Sequence, residues 1–476
     1  MRVRPAAPAN VSARLRGHVR LDAHANGEIV AGFDGHSVAL GTFSAGAADR
    51  ARELRRGLPL AGLASDKRNV DREIGLLVQR LARGGFLEYP LGRPRDGDDR
   101  VVIEPQVADY WPQAPDLGKG DALVLSRFAY LRRRGAEMVL ESPRAGALFR
   151  FCDPKIAAGI AMLSTPQPVK RLSRQEGFPG VEFFALLLDC EILLKVDTAG
   201  ESGLRLADGD RSLALWDFHD LLFHARSGEG RHANPLGGTY PHVGVIPPLP
   251  AARPSWPGKK IDLSPFSTRR LSPVAKLLRE RHSTRSFDDR RPITLAELAE
   301  FLDGTARVLS ISDTKLDLDE GGHTVRPYPS AGAAHELELY LTVNLCEGLE
   351  RGFYHYDAGA HALCLIGVPE NALEALLTRA GYAMGAPAPQ ILITIAARFG
   401  RISWKYSSIA YSLVLKDVGV LLQTLYLIAT DLGLGGCAIG IANIDLFAKM
   451  TGIEFHVEGP VGQFAIGRVS KPVASD

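Results

Sequence analysis

The fold of this chain depends most on the stretch from Arg398 to Gly440, which reads RFGRISWKYSSIAYSLVLKDVGVLLQTLYLIATDLGLGGCAIG. Its apolar residues recur at intervals of three and four, which predicts a helix that is buried on most of its surface. These residues are Leu413, Val414, Val418, Leu421, Leu422, Leu425, Ile428 and Ala429. The glycines from Gly433 onward are expected to end the helix and to let the backbone approach a ligand. At the other end, Lys405 beside Tyr406 offers a proton donor or acceptor, so the stretch predicts a cofactor pocket.

Composition limits the classes of protein that fit. With 476 residues, 46% of them hydrophobic and 23% charged, the chain is expected to form roughly two to four globular domains. A formal net charge of +2 predicts no general attraction to nucleic acid or membranes. Lys416, Asp417 and Gln423 interrupt the apolar run, which favours a soluble core helix over a membrane span. Five cysteines without a CxxC pair and an N-terminus without an apolar signal segment predict a cytoplasmic protein.

The N-terminal half is predicted to hold two small winged-helix-like units, residues 1–120 and 121–240. The segments EIGLLVQRLARGGFLEYPL (Glu73–Leu91) and VEFFALLLDCEILLKV (Val181–Val196) have a similar order of helix and strand, which indicates a degenerate repeat. The alternative is that two unrelated helical segments look alike. Prolines then predict a semi-rigid linker over residues 241–272.

Three histidines in the segment that precedes this linker could suggest a metal site. His219 and His224 are five residues apart, which places their rings about 140° apart on a helix rather than on one face. We therefore predict no metal centre here, and treat these residues and His232 as surface or substrate-facing histidines.

Residues 273–476 are predicted to form one α+β domain, because strands and long helices mix in it without a βαβ rhythm. Thr294 and Glu297 form a capping box at the start of one helix, and a strand is expected over Leu337–Val343.

Four segments of this domain could meet around an anionic, planar ligand. Arg281–Arg285 carries two guanidinium groups and a hydroxyl suited to phosphate, and Pro329–Ala333 lets backbone N–H groups approach a flat ring. The other two are Gly433–Gly440 and Gly467–Arg468. Gly433–Ala438 formally matches a dinucleotide fingerprint, but a helix rather than a strand precedes it, so we reject that interpretation.

At these segments the sequence resembles the SagB-type dehydrogenases, flavin-dependent azoline oxidases of the nitroreductase superfamily. The resemblance covers roughly residues 274–470. The motifs that carry it are RHSTRSF, RPYPSAGA, GFYHYD, the Lys405–Tyr406 pair and DLGLGGCAIG, in that order. The sequence departs from the family pattern at His282, where many members have Arg, and at Ala334–His335, where Leu–Tyr is more usual.

The resemblance implies a C-terminal nitroreductase-like FMN domain and a homodimer with FMN in clefts at the subunit interface. The cofactor-binding residues that it implies are Arg281, Ser283 and Arg285 at the phosphate and ring edge, Pro329, Ser330, Ala331 and Gly332 beside the ring, and Gly435, Gly436 and Arg468 on the phosphate side. The implied reaction is dehydrogenation of thiazolines or oxazolines in a ribosomally synthesised peptide to thiazoles or oxazoles, with dioxygen reoxidising the flavin.

Such a reaction needs a base, because the ring loses a proton as well as a hydride. Lys405 or Tyr406 is the predicted catalytic base, with the other residue positioning it. A free lysine near pKa 10.4 needs its pKa lowered by about 3 units to act at neutral pH, which burial and cations such as Arg398 or Arg401 could provide. The alternative is that Lys405 is a surface charge and Tyr406 a packing aromatic.

The N-terminal half is expected to recruit the precursor peptide by its leader region, or to dock the enzyme that cyclises it, because a winged-helix-like unit can accept an extended peptide as an added strand. A purely structural or dimerising role is the alternative. Two other functions remain open: an NAD(P)H-dependent nitro or quinone reductase, and a DNA-binding regulator, against which the near-neutral charge argues.

Overall fold

The computed structural model describes residues 8–33, 36–64, 69–92, 99–175, 177–196, 211–267, 270–312 and 322–470. The chain divides into two compact units, Met1–Ala233 and Asn234–Asp476.

The N-terminal unit is built on a seven-stranded antiparallel sheet. Its strands, in spatial order, are Leu58–Pro59, Ser12–Leu15, Leu87–Leu91, Val101–Pro105, Ala147–Phe151, Glu137–Glu141 and Tyr130–Arg134. Two three-stranded sheets accompany it, Arg20–Ala23, Glu28–Phe33 and His36–Thr42, and Gln167–Pro168, Ala122–Leu125 and Leu193–Val196. The α-helices are Ala45–Ala51, Asn69–Arg83, Pro154–Ile160, Val169–Leu172, Val181–Asp189, Arg211–Ala214 and Phe218–Ser227. Single 3-10 turns lie at Arg52–Arg55, Leu60–Ala64 and Ala161–Ser164.

The two predicted winged-helix-like units contribute to the same large sheet. Val101–Pro105, from residues 1–120, pairs with Ala147–Phe151, from residues 121–240. Helices from both halves, Asn69–Arg83 and Val181–Asp189, bury their apolar faces in one hydrophobic core. The division into two units at residue 120 stays a prediction. In the structure, strands from both sides of residue 120 pair in one continuous sheet.

The predicted linker contains little regular structure. In the described part of residues 241–272, the only helix is the 3-10 turn Ser264–Phe266, and the first α-helix beyond it begins at Pro273. Several of its large apolar side chains are exposed, including Leu249, Trp256 and Phe266.

The C-terminal unit is built on a six-stranded antiparallel sheet. In spatial order the strands are Ala362–Ile366, Gly352–Asp357, Leu337–Val343, Ile391–Arg398, Glu458–Arg468 and Leu434–Ile439. A two-stranded ribbon, Ser310–Ser312 and His323–Val325, is separate from it. The α-helices are Pro273–Glu280, Leu295–Ala306, Glu370–Met384, Phe399–Ser403, Ala410–Asp431 and Ile444–Thr451. An antiparallel sheet with separate helices is the α+β arrangement that the sequence predicts.

The long helix Ala410–Asp431 packs against Leu295–Ala306 and against the strands Leu434–Ile439 and Glu458–Arg468. Only one stripe of it is buried, which corrects the expectation of burial on most of its surface. The stripe consists of Ala410, Tyr411, Val414, Asp417, Val418, Leu421, Leu425 and Ala429. By length and composition alone it is the one candidate membrane span in the described chain, with 33% of its apolar window buried. A core helix of a soluble protein meets the same criterion.

The glycine segment after this helix also differs from the prediction. Gly433 ends the helix region with φ +68°, as expected of a glycine in the left-handed conformation. Residues Leu434–Ile439 then form the edge strand of the sheet rather than a turn, in register with the last strand. Glycine has a low β propensity, so the sequence alone did not indicate this strand.

Candidate active site

The loop Pro329–Ala333 turns sharply between the ribbon strand His323–Val325 and the sheet strand Leu337–Val343. Gly332 has φ +58°, a left-handed conformation that L side chains rarely adopt. A Cβ at Gly332 would lie 2.5 Å from the Tyr406 hydroxyl and 3.0 Å from Lys405 Nζ. The conformation therefore favours glycine at this position, and a larger residue would displace the ends of Tyr406 and Lys405.

Lys405 and Tyr406 reach this loop from the turn that follows the short helix Phe399–Ser403. Lys405 Nζ donates to the carbonyl oxygen of Gly332 at 3.5 Å and lies 5.9 Å from the centre of the Tyr406 ring. The structure thus brings the two predicted catalytic residues to the predicted ring-binding loop, although the loop lies more than seventy positions before them in the sequence.

The surroundings of Lys405 differ from the expected ones. Its side chain is exposed rather than buried. Arg401 donates to the carbonyl oxygens of Ala334 and Gly322, each at 3.2 Å, and Arg398 lies 3.6 Å from Glu338. Within this one chain, the two arginines therefore interact with other groups.

The segment Arg281–Arg285 follows the helix Pro273–Glu280 and runs beside the glycine strand. The N–H of Thr284 donates to the carbonyl oxygen of Gly436 at 2.8 Å. Ser283 Oγ lies 2.9 Å from the hydroxyl of Tyr426, which also accepts the N–H of Ala438 at 2.7 Å. The guanidinium of Arg281 lies 5.1 Å from the centre of the same tyrosine ring, within cation–π range.

Arg285 is exposed next to the glycine strand. Burial raises the pKa of the Cys437 thiol, and the nearby charge of Arg285 partly opposes that rise. Arg285 therefore adds an exposed positive charge beside the glycine strand, at the end of the segment Arg281–Arg285.

Gly435 and Gly436 are glycines because of packing inside the protein. A Cβ at Gly435 would lie 2.6 Å from a Thr284 methyl carbon, and a Cβ at Gly436 would lie 2.3 Å from the Phe464 ring. Each glycine is thus in tight contact with Thr284 or with the sheet, and the expectation that these glycines let the backbone approach a ligand stays a prediction.

Arg468 is held by residues of its own chain. Its guanidinium donates to Glu297, the acidic residue of the predicted capping box, which the structure shows fully formed with Thr294. Burial pushes the pKa of Glu297 upward, but the Thr294 N–H and the Arg468 guanidinium outweigh that effect and the pKa lies below its ordinary value. The Arg468 N–H donates to Gln390 at 2.9 Å. The charge of Arg468 is therefore already paired with a carboxylate of its own chain.

The second unit matches a known protein family. Residues 278–468 match the nitroreductase family model. A protein of Methanocaldococcus jannaschii that is named as a nitroreductase is 34% identical over 164 residues, which cover 34% of this chain and 76% of that protein. The chain belongs to the nitroreductase family.

A second family model matches in front of the nitroreductase domain. Residues 123–233 match the model of the cyanobactin oxidase ThcOx. A cyanobactin oxidase region followed by a nitroreductase domain confirms the resemblance to SagB-type azoline oxidases, the α+β fold class and an oxidoreductase of ribosomal peptide modification.

Solved structures resemble part of this chain at low identity. A chain of the E. coli microcin synthetase McbBCD complex, solved with truncated pro-MccB17 bound, is 19% identical and covers 55% of this chain and 97% of that one, with a TM-score of 0.39. A Bacteroides fragilis nitroreductase with bound FMN is 14% identical and covers 43% and 93%, with a TM-score of 0.26. Both scores are below 0.5, and the family assignment rests on the sequence matches.

The nitroreductase domain also holds site residues that the sequence analysis missed. Tyr426 joins the Arg281 segment to the long helix, and Asp417 of the same helix accepts hydrogen bonds from Ser330 Oγ at 2.9 Å and from the Ala331 N–H at 2.8 Å. The signal for Asp417 was present in the sequence: an acidic residue within a buried helical stripe needs a polar partner. Glu336, which is fully buried beside it, had no comparable signal.

The loop Pro329–Ala333 and the segment Arg281–Arg285 contact different sides of the long helix. Asp417 and Tyr426 are nine residues apart, which on a helix is about 180° of rotation and about 13 Å of rise. The loop at Gly332 therefore lies on one side of the buried stripe, and the segment from Arg281 lies on the other.

Proposed function

We propose that this enzyme binds FMN and dehydrogenates thiazoline or oxazoline rings of a heterocyclised precursor peptide. The observation that carries the proposal is the meeting of Lys405, Tyr406 and Gly332, because it gathers a possible base next to a glycine turn that a flat ring can approach. A reductase that only passes electrons to a nitroaromatic has no evident need for such a base.

The residues around Arg281 fit the phosphate end of FMN. Arg281 and Arg285 carry permanent positive charge, Ser283 offers a hydroxyl, and Arg285 is exposed to an incoming ligand. Gly435 and Gly436 support this segment by letting Thr284 pack against the strand. Arg468 would contribute to the phosphate side only by sharing its guanidinium with Glu297.

The loop Pro329–Gly332 fits the ring of the flavin, whose chemistry when bound is to accept a hydride. Gly332 is exposed and has no side chain to obstruct a planar group. Because this loop and the Arg281 segment lie on opposite sides of the buried stripe, we propose that each flavin lies between two copies of the chain. One copy would supply the loop and the other the phosphate-binding segment, which requires the homodimer.

Aromatisation of an azoline removes two hydrogens from the ring. One leaves as a hydride to the flavin, and a proton leaves the neighbouring carbon. We propose that Lys405 or Tyr406 takes this proton while the other residue holds it in position. Covering by a second copy and by the peptide would remove water from Lys405, which is exposed in the single chain. Dioxygen is the proposed final electron acceptor.

The N-terminal unit is the proposed site for the leader region of the precursor. Docking of the cyclising enzyme is the alternative role of this unit, and we infer that the protein acts in the cytoplasm, where precursor peptides are made. Removing residues 1–240 should then slow turnover of a full-length precursor more than turnover of a short cyclised peptide. Equal slowing of both substrates would argue against leader binding.

The direct test uses the purified full-length chain with a cyclised peptide and added FMN. We expect flavin absorbance in the protein fraction and a mass loss of about 2 Da per ring, the two hydrogens removed with the hydride and the proton. Lys405→Ala and Tyr406→Phe, made separately, should retain FMN, and at least one should lose most azole formation. Full azole formation by both variants would remove the proposed base. Steady NADPH oxidation with nitroaromatics and no azole product would favour the reductase instead.

A further inference from the structure

Two carboxyl groups are buried directly beneath the loop that meets Lys405 and Tyr406. Glu336 is 0% exposed and Asp417 is 6% exposed. Both lie within hydrogen-bonding distance of the Ser330 hydroxyl, Asp417 at 2.9 Å and Glu336 at 3.2 Å. That hydroxyl has a single proton, and its oxygen already accepts the N–H of His335 at 3.0 Å. It can therefore donate to only one of the two carboxyl groups.

The hydrogen bonds distinguish the two acids. Asp417 Oδ2 accepts hydrogen bonds from both the Ser330 hydroxyl and the Ala331 N–H, so two donors of the loop are directed at this oxygen. Glu336 Oε1 is buried and has no hydrogen-bond partner among the described residues. The Ser330 hydroxyl is nearer to Asp417 than to Glu336, so an ionised Glu336 would be buried with few donors beside another carboxyl group, which is costly, and Glu336 therefore holds the proton. Burial, reinforced by the charge of Asp417, raises the pKa of Glu336 to about 7.

The ionisable groups His335 and Arg326, which lie near Glu336 and Asp417, interact with other partners. Burial lowers the pKa of His335, and its ring nitrogens bond to Thr324 and to the Tyr328 carbonyl. Arg326 donates to the Leu337 carbonyl, and its charge acts on Tyr328 and His335.

Three more charged or ionisable groups lie on the sheet strands nearby and interact with one another. Glu338, two residues beyond Glu336 on the strand Leu337–Val343, faces His355 and Arg398. Arg398 contacts Glu336 through its backbone N–H. Among these groups, Asp417 is the one that shares a hydrogen-bonding partner, Ser330, with Glu336.

We propose that Glu336 holds a proton beside the Asp417 carboxyl group, and that in this state the two side chains clamp Ser330 and Ala331 so that Gly332 holds Lys405 and Tyr406 in position. This positioning role rests on the proposed azoline oxidation. When Glu336 loses its proton, two adjacent buried carboxylates repel each other, the clamp on Ala331 weakens, and the catalytic pair loses its support. Turnover then falls as the pH rises through neutrality.

The test is the pH dependence of kcat and KM for the FMN-loaded full-length enzyme with a cyclised peptide. In the wild type we expect kcat to fall by about tenfold per pH unit above this transition, with KM nearly unchanged. Glu336→Gln retains a neutral donor that cannot ionise, so it should keep most of the activity and lose the fall near neutrality. Glu336→Ala should lower kcat several-fold at all pH values. A Gln variant with the wild-type pH profile, or an Ala variant with wild-type kcat, would overturn the proposal.

A second measurement does not depend on azoline turnover. The infrared difference spectrum between wild type and Glu336→Gln below neutral pH should contain the carbonyl band of a protonated carboxyl, and this band should disappear above the transition. Its absence would overturn the proton on Glu336 even if the enzyme oxidises azolines. Its presence in a protein that oxidises no azoline would leave the carboxyl pair intact and reject the proposed function instead.

Discussion

The hydroxyl of Tyr426 lies 2.9 Å from Ser283 Oγ and accepts the Ala438 N–H at 2.7 Å. One phenol oxygen therefore joins the segment Arg281–Arg285, the long helix and the edge strand. The same ring packs edge-on against Phe464 at 5.0 Å between centroids. The position of Ser283 therefore depends on a residue that lies 143 positions further along the chain.

Replacing Tyr426 by Phe should weaken FMN binding and lower the free energy of unfolding by about 1–3 kcal/mol, because the Ala438 N–H loses its partner and Ser283 loses its anchor. FMN affinity measured by fluorescence titration and urea unfolding would check this. Tyr382→Phe is the matched control, since Tyr382 is 86% exposed and should change neither quantity. Unchanged FMN affinity in Tyr426→Phe would contradict the role of the phenol.

Replacing Gly332 by Ala should abolish most azole formation. The new Cβ would lie 2.5 Å from the Tyr406 hydroxyl, so Tyr406 and Lys405 must move. Gly385→Ala is the control for backbone strain, because Gly385 has φ +64° and open space where its Cβ would lie. Both variants should lose about 1–2 kcal/mol of stability from the left-handed conformation, and only Gly332→Ala should lose turnover. Similar turnover in the two variants would separate the glycine turn from catalysis.

Replacing Gly436 by Ala should destabilise the domain by about 1–3 kcal/mol through overpacking against Phe464. Gly367→Ala is the control, since a Cβ there meets nothing within 4 Å. Thermal unfolding of both variants, with and without FMN, would measure the difference. A stable Gly436→Ala protein that has lost FMN would instead mean that Gly436 contacts the cofactor.

Glu336 should also make folding stability depend on pH. Its pKa in the folded chain is about 7, above the ordinary 4.5, so the neutral acid is favoured by folding. The resulting stabilisation is full below about pH 4.5 and is lost as the pH rises toward 7, a total of roughly 3 kcal/mol. Urea midpoints of the wild type should therefore fall across this window relative to those of Glu336→Gln. Parallel curves for the two proteins would show that Glu336 titrates normally.

Local patterns predicted many elements of the fold because the physical cause was local. The capping box at Thr294 and Glu297 forms as expected, and the strand Leu337–Val343 has the predicted bounds. The strand Leu434–Ile439 was missed because its glycines disfavour a strand. Only the approach of Thr284 and Phe464, which come from distant positions, explains why glycine is needed there.

The candidate site was also only partly predictable. The motifs at Arg281, Ser330 and Lys405 identified the family and the residue types that the chemistry needs. Local patterns do not indicate that Arg468 pairs with Glu297, or that Tyr426 supports Ser283, because these contacts depend on how the sheet and the long helix pack.

The sequence by itself determined the α+β class, the capped start of one helix and the set of candidate residues, because propensity, periodicity and capping act over a few neighbouring positions. Only the tertiary structure decided which stripe of the long helix is buried, that Gly332 faces Lys405 and Tyr406, and that Glu336 lies against Asp417. Those outcomes depend on side chains that are far apart in the chain and meet only after the helix has packed on the sheet.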